Sequence, residues 1–220
     1  ELKNFKRIKM YLGDILDTRL LDYLIKKEKI DLVFHAAAYK HVGILQENIN
    51  SAIRNNIFGT QSVLLSAKKN NVPIVTISTD KAVKPTSVLG LTKRISEIIS
   101  LKYNDKNFSS KVVRFGNVFG SVGSAVPTFI SQINNRMPIT ITHKDVKRYF
   151  MTLNDACFLL LWSVKITNAN NVLVLNMGKP IKIFDIINSL INIKKKVDPN
   201  YSNIIKTIGL QKGEKMNELL

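Results

Sequence analysis

The chain has 220 residues, 45% of them hydrophobic and 22% charged, which is enough for one large domain or one domain with a small lobe attached. Lysine and arginine number 33 against 16 aspartates and glutamates, a formal charge of +17. The lysines are scattered, with only Lys194-Lys195-Lys196 in a run, so they read as solvated faces or a general polyanion surface and exclude a specific nucleic-acid module. The longest apolar run, 156–164, is too short to span a bilayer, and the first residues lack the layout of a signal peptide. The single Cys157 has no partner for an intrachain disulfide and reads as a small core residue, so a soluble protein of the reducing cytoplasm is expected.

Residues 9–12 read as a strand ending at Gly13-Asp14, and 19–29 as a helix with Leu20, Leu21, Leu24 and Ile25 on one face. A short buried strand over 31–35 runs into Ala36-Ala37-Ala38. A long helical segment over 48–70 leads to a strand over 73–78 and a helix over 90–104. A strand over 111–115 ends at Gly116-Asn117, and 127–135 is helical. Strands alternating with helices at this spacing imply parallel pairing and right-handed crossovers. After Met137 the pattern changes to a short strand over 139–142 and a helix to 166 that Thr152 and Asp155 open with a capping box. A strand over 172–175, a helix over 183–193 and a strand over 204–208 follow. The expected architecture is an α/β, Rossmann-like doubly wound parallel sheet over 1–136, with a smaller substrate lobe over 137–220.

Chemistry concentrates in Ser78-Thr79-Asp80-Lys81, where a strand end delivers hydroxyls, a carboxylate and an amine, with Lys93 following on a helix. Ligands of open α/β sheets bind outside this carboxyl edge. Asp14 follows a strand and offers a carboxylate to an adenine amino group, or is an exposed turn residue. Ala36, Ala37 and Ala38 let a flat ligand approach the backbone, or pack under a helix. Asn56 reaches across the sheet edge or faces solvent, and Arg148 suits a diphosphate by its fork geometry or lies at the surface. Asn117 stands after a strand where it can touch a sugar, while Lys40 and His41 lie beyond the alanine run. No histidine and cysteine cluster suggests a metal.

In order, strand-Gly-Asp, strand-Ala-Ala-Ala, Asn-Ile-x-Gly-Thr, strand-Ser-Thr-Asp-Lys and a helix with x-x-x-Lys resemble the extended short-chain dehydrogenase/reductase superfamily. The stretches "VFHAAAYKHV", "STDKAVKPTSVLGLTKR", "VRFGNVFGSVGSAVPTF", "RYFMT" and "LNMGKPIKI" resemble the UDP-N-acetylglucosamine 4,6-dehydratases of bacterial polysaccharide biosynthesis, over nearly the whole chain. That resemblance implies a tightly held NAD or NADP, contacted by Asp14, Ile15, Ala36, Ala37, Ala38, Asn56, Ser78 and Lys93. It implies a UDP-sugar partner bound by Lys40, His41, Asn117, Arg148 and Glu214, and a homo-oligomer. The implied reaction oxidises carbon 4 transiently, removes water across carbons 5 and 6 and returns the hydride to carbon 6. Thr79, Asp80, Lys81 and Lys93 are the implied catalytic set, with Asp80 as the acid, Lys81 as the base and Thr79 on the carbon 4 oxygen.

Two positions depart from the pattern. The usual Tyr-x-x-x-Lys is Leu89-x-x-x-Lys93, so the first oxidation lacks its tyrosine base. The usual Gly-Leu-Arg-Pro-Gly-Glu-Lys is Gly209-Leu210-Gln211-Lys212-Gly213-Glu214-Lys215, with Lys212 as the nearest cation. No Gly-x-Gly-x-x-Gly is present, and the chain opens at Glu1 just before what resembles the third strand. The expectation is therefore a sheet lacking its first two strands, with membrane attachment only through upstream helices. A 4-epimerase of the same superfamily and a silent basic scaffold are the alternatives.

Overall fold

A computed structural model describes residues 8–121, 123–166 and 170–219. Residues 9–12 do not form the expected strand. Lys9 and Tyr11 reach to Glu28, and the segment pairs with no strand among the described residues. Extended backbone needs a hydrogen-bonded neighbour, and none is described beside it. Helix α1 (Thr18–Lys27) starts where the Asp17 carboxylate accepts the Leu20 amide at 3.0 Å, and it stops short of 29, where Lys29 has a φ of 51°.

Strand β1 (Val33–His35) leads to α2 (Val42–Glu47). The long helical segment is realised as α3 (Ile49–Ala52), a π-helical stretch Ile53–Phe58 and α4 (Gly59–Lys69). Then come β2 (Ile74–Thr79), a 3₁₀ turn Asp80–Ala82, α5 (Val88–Tyr103), β3 (Ser110–Phe115), β4 (Asn117–Val118) and α6 (Ala125–Asn134). The chain continues through β5 (Ile139–Ile141), β6 (Lys147–Arg148), β7 (Phe150–Met151), α7 (Leu153–Lys165), β8 (Val172–Val174), β9 (Ile181–Lys182), α8 (Ile183–Val197) and β10 (Ile205–Thr207).

The main sheet runs β1-β2-β3-β8, every pair parallel. Side chains alternate across a strand, so Ile74 and Val75 serve opposite faces. Ile74 packs with Val63, Leu64 and Ala67 of α4 and with Ile99 and Tyr103 of α5, while Val75 packs with Val113 and with Leu159 of α7. Cover on both faces explains why β2 reads as an uncharged, largely apolar run, while on β3 Lys111 and Arg114 reach partners on α7 and α5. The capping box is present: the Thr152 hydroxyl accepts the Asp155 amide, and the Asp155 carboxylate accepts the Thr152 amide. Cys157, read as a core residue, is exposed on α7.

The sequence boundary at 137 is not a single boundary in space, because α7 and β8 return to the main sheet before the chain leaves it again. The smaller lobe is built from the parallel pair β5 and β10 with α6 and α8, around Ile139, Ile187 and Tyr201. Two short pairings, β4 with β7 and β6 with β9, join it to the carboxyl edge of the sheet. Among the described residues no helix is long and apolar enough to cross a membrane.

Candidate active site

The carboxyl end of β2 carries the site. Thr79 is the last strand residue, and its hydroxyl accepts the Lys81 amide at 3.4 Å, which turns the chain into the 3₁₀ turn. Asp80 is fully buried. Its Oδ1 accepts the Thr79 hydroxyl at 2.9 Å and the Lys81 ammonium at 2.9 Å, while Oδ2 has no hydrogen-bond partner among the described residues. Buried polar atoms are nearly always paired, so an orphaned carboxylate oxygen marks a place where a proton or a further donor fits. The start of α5 packs directly on this turn through Gly90, where a Cβ would lie 2.4 Å from the Lys81 carbonyl oxygen.

Lys81 stands where two cavities meet. One, of about 400 Å³, is lined by Ala36, Ala38, Thr79, Leu89 and Lys93 among others, and the second, of about 410 Å³, opens into the lobe past Arg148 and Glu214. Lys81 and Asn117 belong to both. The Asn117 side chain donates to the Tyr149 carbonyl at 3.3 Å, so its oxygen faces the Lys81 ammonium at 3.4 Å. Asp80 lines neither cavity and reaches them only through Thr79 and Lys81.

Lys93 is buried on the wall of the first cavity. Burial lowers its ammonium to about 8, against the opposing pull of Glu97. His35 lies below the alanine run, with Nε2 2.9 Å from the Thr60 hydroxyl; that hydroxyl donates to the Asn56 carbonyl at 2.7 Å, so Nε2 carries the proton of a neutral ring. Burial first, and the Lys93 cation second, lower His35 to about 4. Between pH 6.5 and 4 the unfolded chain therefore binds more protons than the folded one, and stability falls as pH falls through that window. The expected loss is about 3 kcal/mol, absent in His35→Gln, as read by urea unfolding across the range.

The structure gathers Ala36, Ala38, Lys40, His41, Ser78, Thr79, Lys81, Lys93 and Asn117 on the first cavity and Arg148 and Glu214 on the second. Other expected contacts fall elsewhere. Asn56 is fully buried within the π-helical stretch, and its amide binds the Tyr39 backbone at 2.8 and 3.1 Å and the Thr92 hydroxyl at 3.2 Å. It ties the 36–41 loop to α5 and does not meet the cavity. Such π-helical turns redirect side chains at functional sites. Ala37 is exposed, the Asp14 carboxylate accepts its own Leu16 amide at 2.9 Å, and Ile15 packs in the cluster around Leu64; none of the three lines the cavity.

Arg148 is on the second cavity, but its fork is not open to a diphosphate. It donates to Glu214 at 2.9 Å and to the carbonyls of Lys147 and Met216. Glu214 also takes the Thr142 hydroxyl and the Gln211 amide, so the pair forms a wall of compensated charge. Gln211 faces this cavity and Lys212 is exposed away from it. The residue reading missed Ser124, whose buried hydroxyl has no partner among the described residues and which lines both cavities, and it missed Gly90 and Glu97. A glycine in the first turn of a helix was the available signal for Gly90. Among the described residues no group of metal-ligating side chains is assembled.

An acid, an amine and a buried lysine thus stand together at the carboxyl edge of a parallel, Rossmann-like α/β sheet. The chain belongs to the family described as polysaccharide biosynthesis protein, whose model matches residues 1–220. It is 44% identical over 206 residues to the capsular polysaccharide biosynthesis protein CapD of Staphylococcus aureus, covering 92% of this chain and 34% of that protein. The chain thus spans about a third of that relative's length. It is 33% identical to a UDP-glucose 4-epimerase of Rickettsia bellii, over 99% of this chain and 63% of that one. The solved structure of Pen from Bacillus thuringiensis superposes with a TM-score of 0.89 at 35% identity, covering 97% of this chain and 66% of that chain. Other solved chains of the same fold carry NAD, some beside a UDP-sugar.

Proposed function

We propose that the full-length protein is an NAD- or NADP-dependent nucleotide-sugar 4,6-dehydratase acting on UDP-N-acetylglucosamine for surface polysaccharide synthesis. The carrying observation is the Asp80–Lys81 pair at the junction of the two cavities. The nicotinamide end of a dinucleotide fits the first cavity on the residues that line it: small Ala36 and Ala38, and Lys93, whose ammonium burial lowers to about 8. Bound there, it would take up a hydride and return it. The sugar would lie across the junction of the two cavities, beside Lys81 and Asn117.

Removing water across carbons 5 and 6 takes a proton from carbon 5 and gives one to the departing hydroxyl. Lys81 accepts the first. Asp80, one hydrogen bond behind it, holds the second, which passes outward over Lys81 or Thr79. For the opening oxidation Leu89 has no proton to exchange, and the Thr79 hydroxyl, bonded to Asp80 at 2.9 Å, links the carbon 4 oxygen to that carboxylate. Lys93 holds the nicotinamide ribose.

The 4-epimerase reading draws on the Rickettsia relative's name. Epimerisation has no use for an acid and base pair acting on carbons 5 and 6, and this pair favours the dehydratase. Incubating the full-length protein with UDP-N-acetylglucosamine and catalytic NAD or NADP is expected to yield a sugar lighter by one water in mass spectrometry. An unchanged mass with conversion to the carbon 4 epimer would replace this reading with the epimerase.

A further inference from the structure

Glu97 is fully buried on α5, one helical turn beyond Lys93, and every acceptor position of its carboxylate is used. Oε1 takes the Ser78 hydroxyl at 2.6 Å and Arg114 Nε at 2.7 Å; Oε2 takes Arg114 Nη2 at 2.7 Å and Arg94 Nη1 at 2.8 Å. Ser78 and Arg114 are direct partners in the β2–β3 register, so one carboxylate bridges two neighbouring strands and the helix. Burial pushes the Glu97 carboxyl up, but hydrogen bonds from Arg114, Ser78 and Arg94 outweigh it and hold the group below its usual value.

A buried ion network is seldom the cheapest way to stabilise a core, since apolar packing of the same volume often does as well. What apolar packing cannot supply is a fixed register together with a fixed charge. Ser78 is the residue before Thr79, and Glu97 is four residues from Lys93 on the same helix. Glu97 therefore joins the two halves of the site, beside the packing of Gly90 on the turn.

We propose that Glu97 is a positioning residue of the active site, holding the carboxyl end of β2 and the Lys93 turn of α5 in fixed relation. Its negative charge, one helical turn away, also opposes the burial that lowers the Lys93 ammonium. The proposal deepens the function given above by assigning the control of Lys93, and it rests on that reading only for what Lys93 binds. Lys40 and His41 on the loop after β1 and Lys81 on the turn after β2 line the same cavity as Lys93, and His35 on β1 and Glu97 on its own helix interact with it electrostatically; of these, Glu97 carries the negative charge that raises it.

The test follows the Lys93 side chain by carbon NMR in the full-length protein labelled at the lysine ε-carbon, with the resonance assigned by its loss in Lys93→Arg. The wild-type midpoint is expected near 8. Glu97→Gln should lower it by about one pH unit. Arg94→Ala, at a half-exposed position that leaves the Arg114 pair intact, should raise it. Opposite movements by the two variants support the proposal, and a midpoint unmoved in both overturns it. If Glu97→Gln does not fold, Arg94→Ala alone decides by the same rule. Because the titration needs no substrate, a protein that releases no water from the sugar but shows these shifts overturns the dehydratase reading and leaves the role of Glu97 standing.

Discussion

Lys81→Ala is expected to lower water release from the nucleotide sugar by ~10²–10⁴-fold while the protein stays folded. The side chain is not part of the core. It sits at the cavity junction with two polar contacts, to Asp80 and to Asn117, and its removal opens space toward solvent-accessible volume. The backbone of the turn remains held by Thr79 and by Gly90. The loss should therefore fall on turnover, with little change in binding of the nucleotide moiety, and a mass-spectrometric rate assay beside a thermal melt separates the two. Equal loss of turnover and melting temperature would mean that Lys81 holds the turn together and does not carry the proton.

Gly90→Val should produce the second large effect, by a different route. Already in Gly90→Ala the new Cβ lies 2.4 Å from the Lys81 carbonyl oxygen and 3.0 Å from the Pro85 Cβ. No rotamer relieves a clash between a Cβ and backbone, so either α5 lifts or the catalytic turn shifts. Inserting methyl groups into such a contact costs about 1–3 kcal/mol, and a displacement of the reacting group by 1 Å costs about 10²-fold in rate. Alanine should lose activity with a modest drop in melting temperature, and valine should lose both. Gly43→Ala is the control: its Cβ would meet only the far end of the Gln211 side chain, at 3.2 Å, and both properties should be retained. If Gly90→Ala behaved like the control, the packing of α5 would not set the position of Lys81.

The parts of this molecule that were legible in sequence are those whose cause is local. β2 announces itself as an apolar run because both faces are covered, and α7 is opened by a capping box that uses only Thr152 and Asp155. The Ser78 to Lys81 cluster was legible for the same reason. What was not legible depends on partners distant in the chain. Residues 9–12 have strand-forming side chains and no strand beside them. β8 carries no local mark that its neighbour is β3 and not a strand of the lobe. Asn56 looked like a ligand contact because nothing in "NNIFGT" reveals that a π-helical turn will rotate its amide onto Tyr39. Arg148 looked available because Glu214, which occupies it, stands 66 residues later. Glu97 has only the helical spacing from Lys93 as a clue, and Arg114 and Ser78 reach it only after the sheet has formed.

The segment carrying Gly213 and Lys215 lies over the loop that follows the catalytic turn. Lys215 donates to the Val83 carbonyl at 2.7 Å, and the Thr86 hydroxyl donates to the Gly213 carbonyl at 3.2 Å. The two ends of the first of these bonds are 132 residues apart. At a synthesis rate of roughly 5–20 residues per second, the turn leaves the ribosome on the order of ten seconds before its clasp exists. During that interval the nascent chain has its acid and its amine, but the second cavity still lacks its wall of Arg148 and Glu214. The second cavity is thus one of the last features this stretch acquires as it is made.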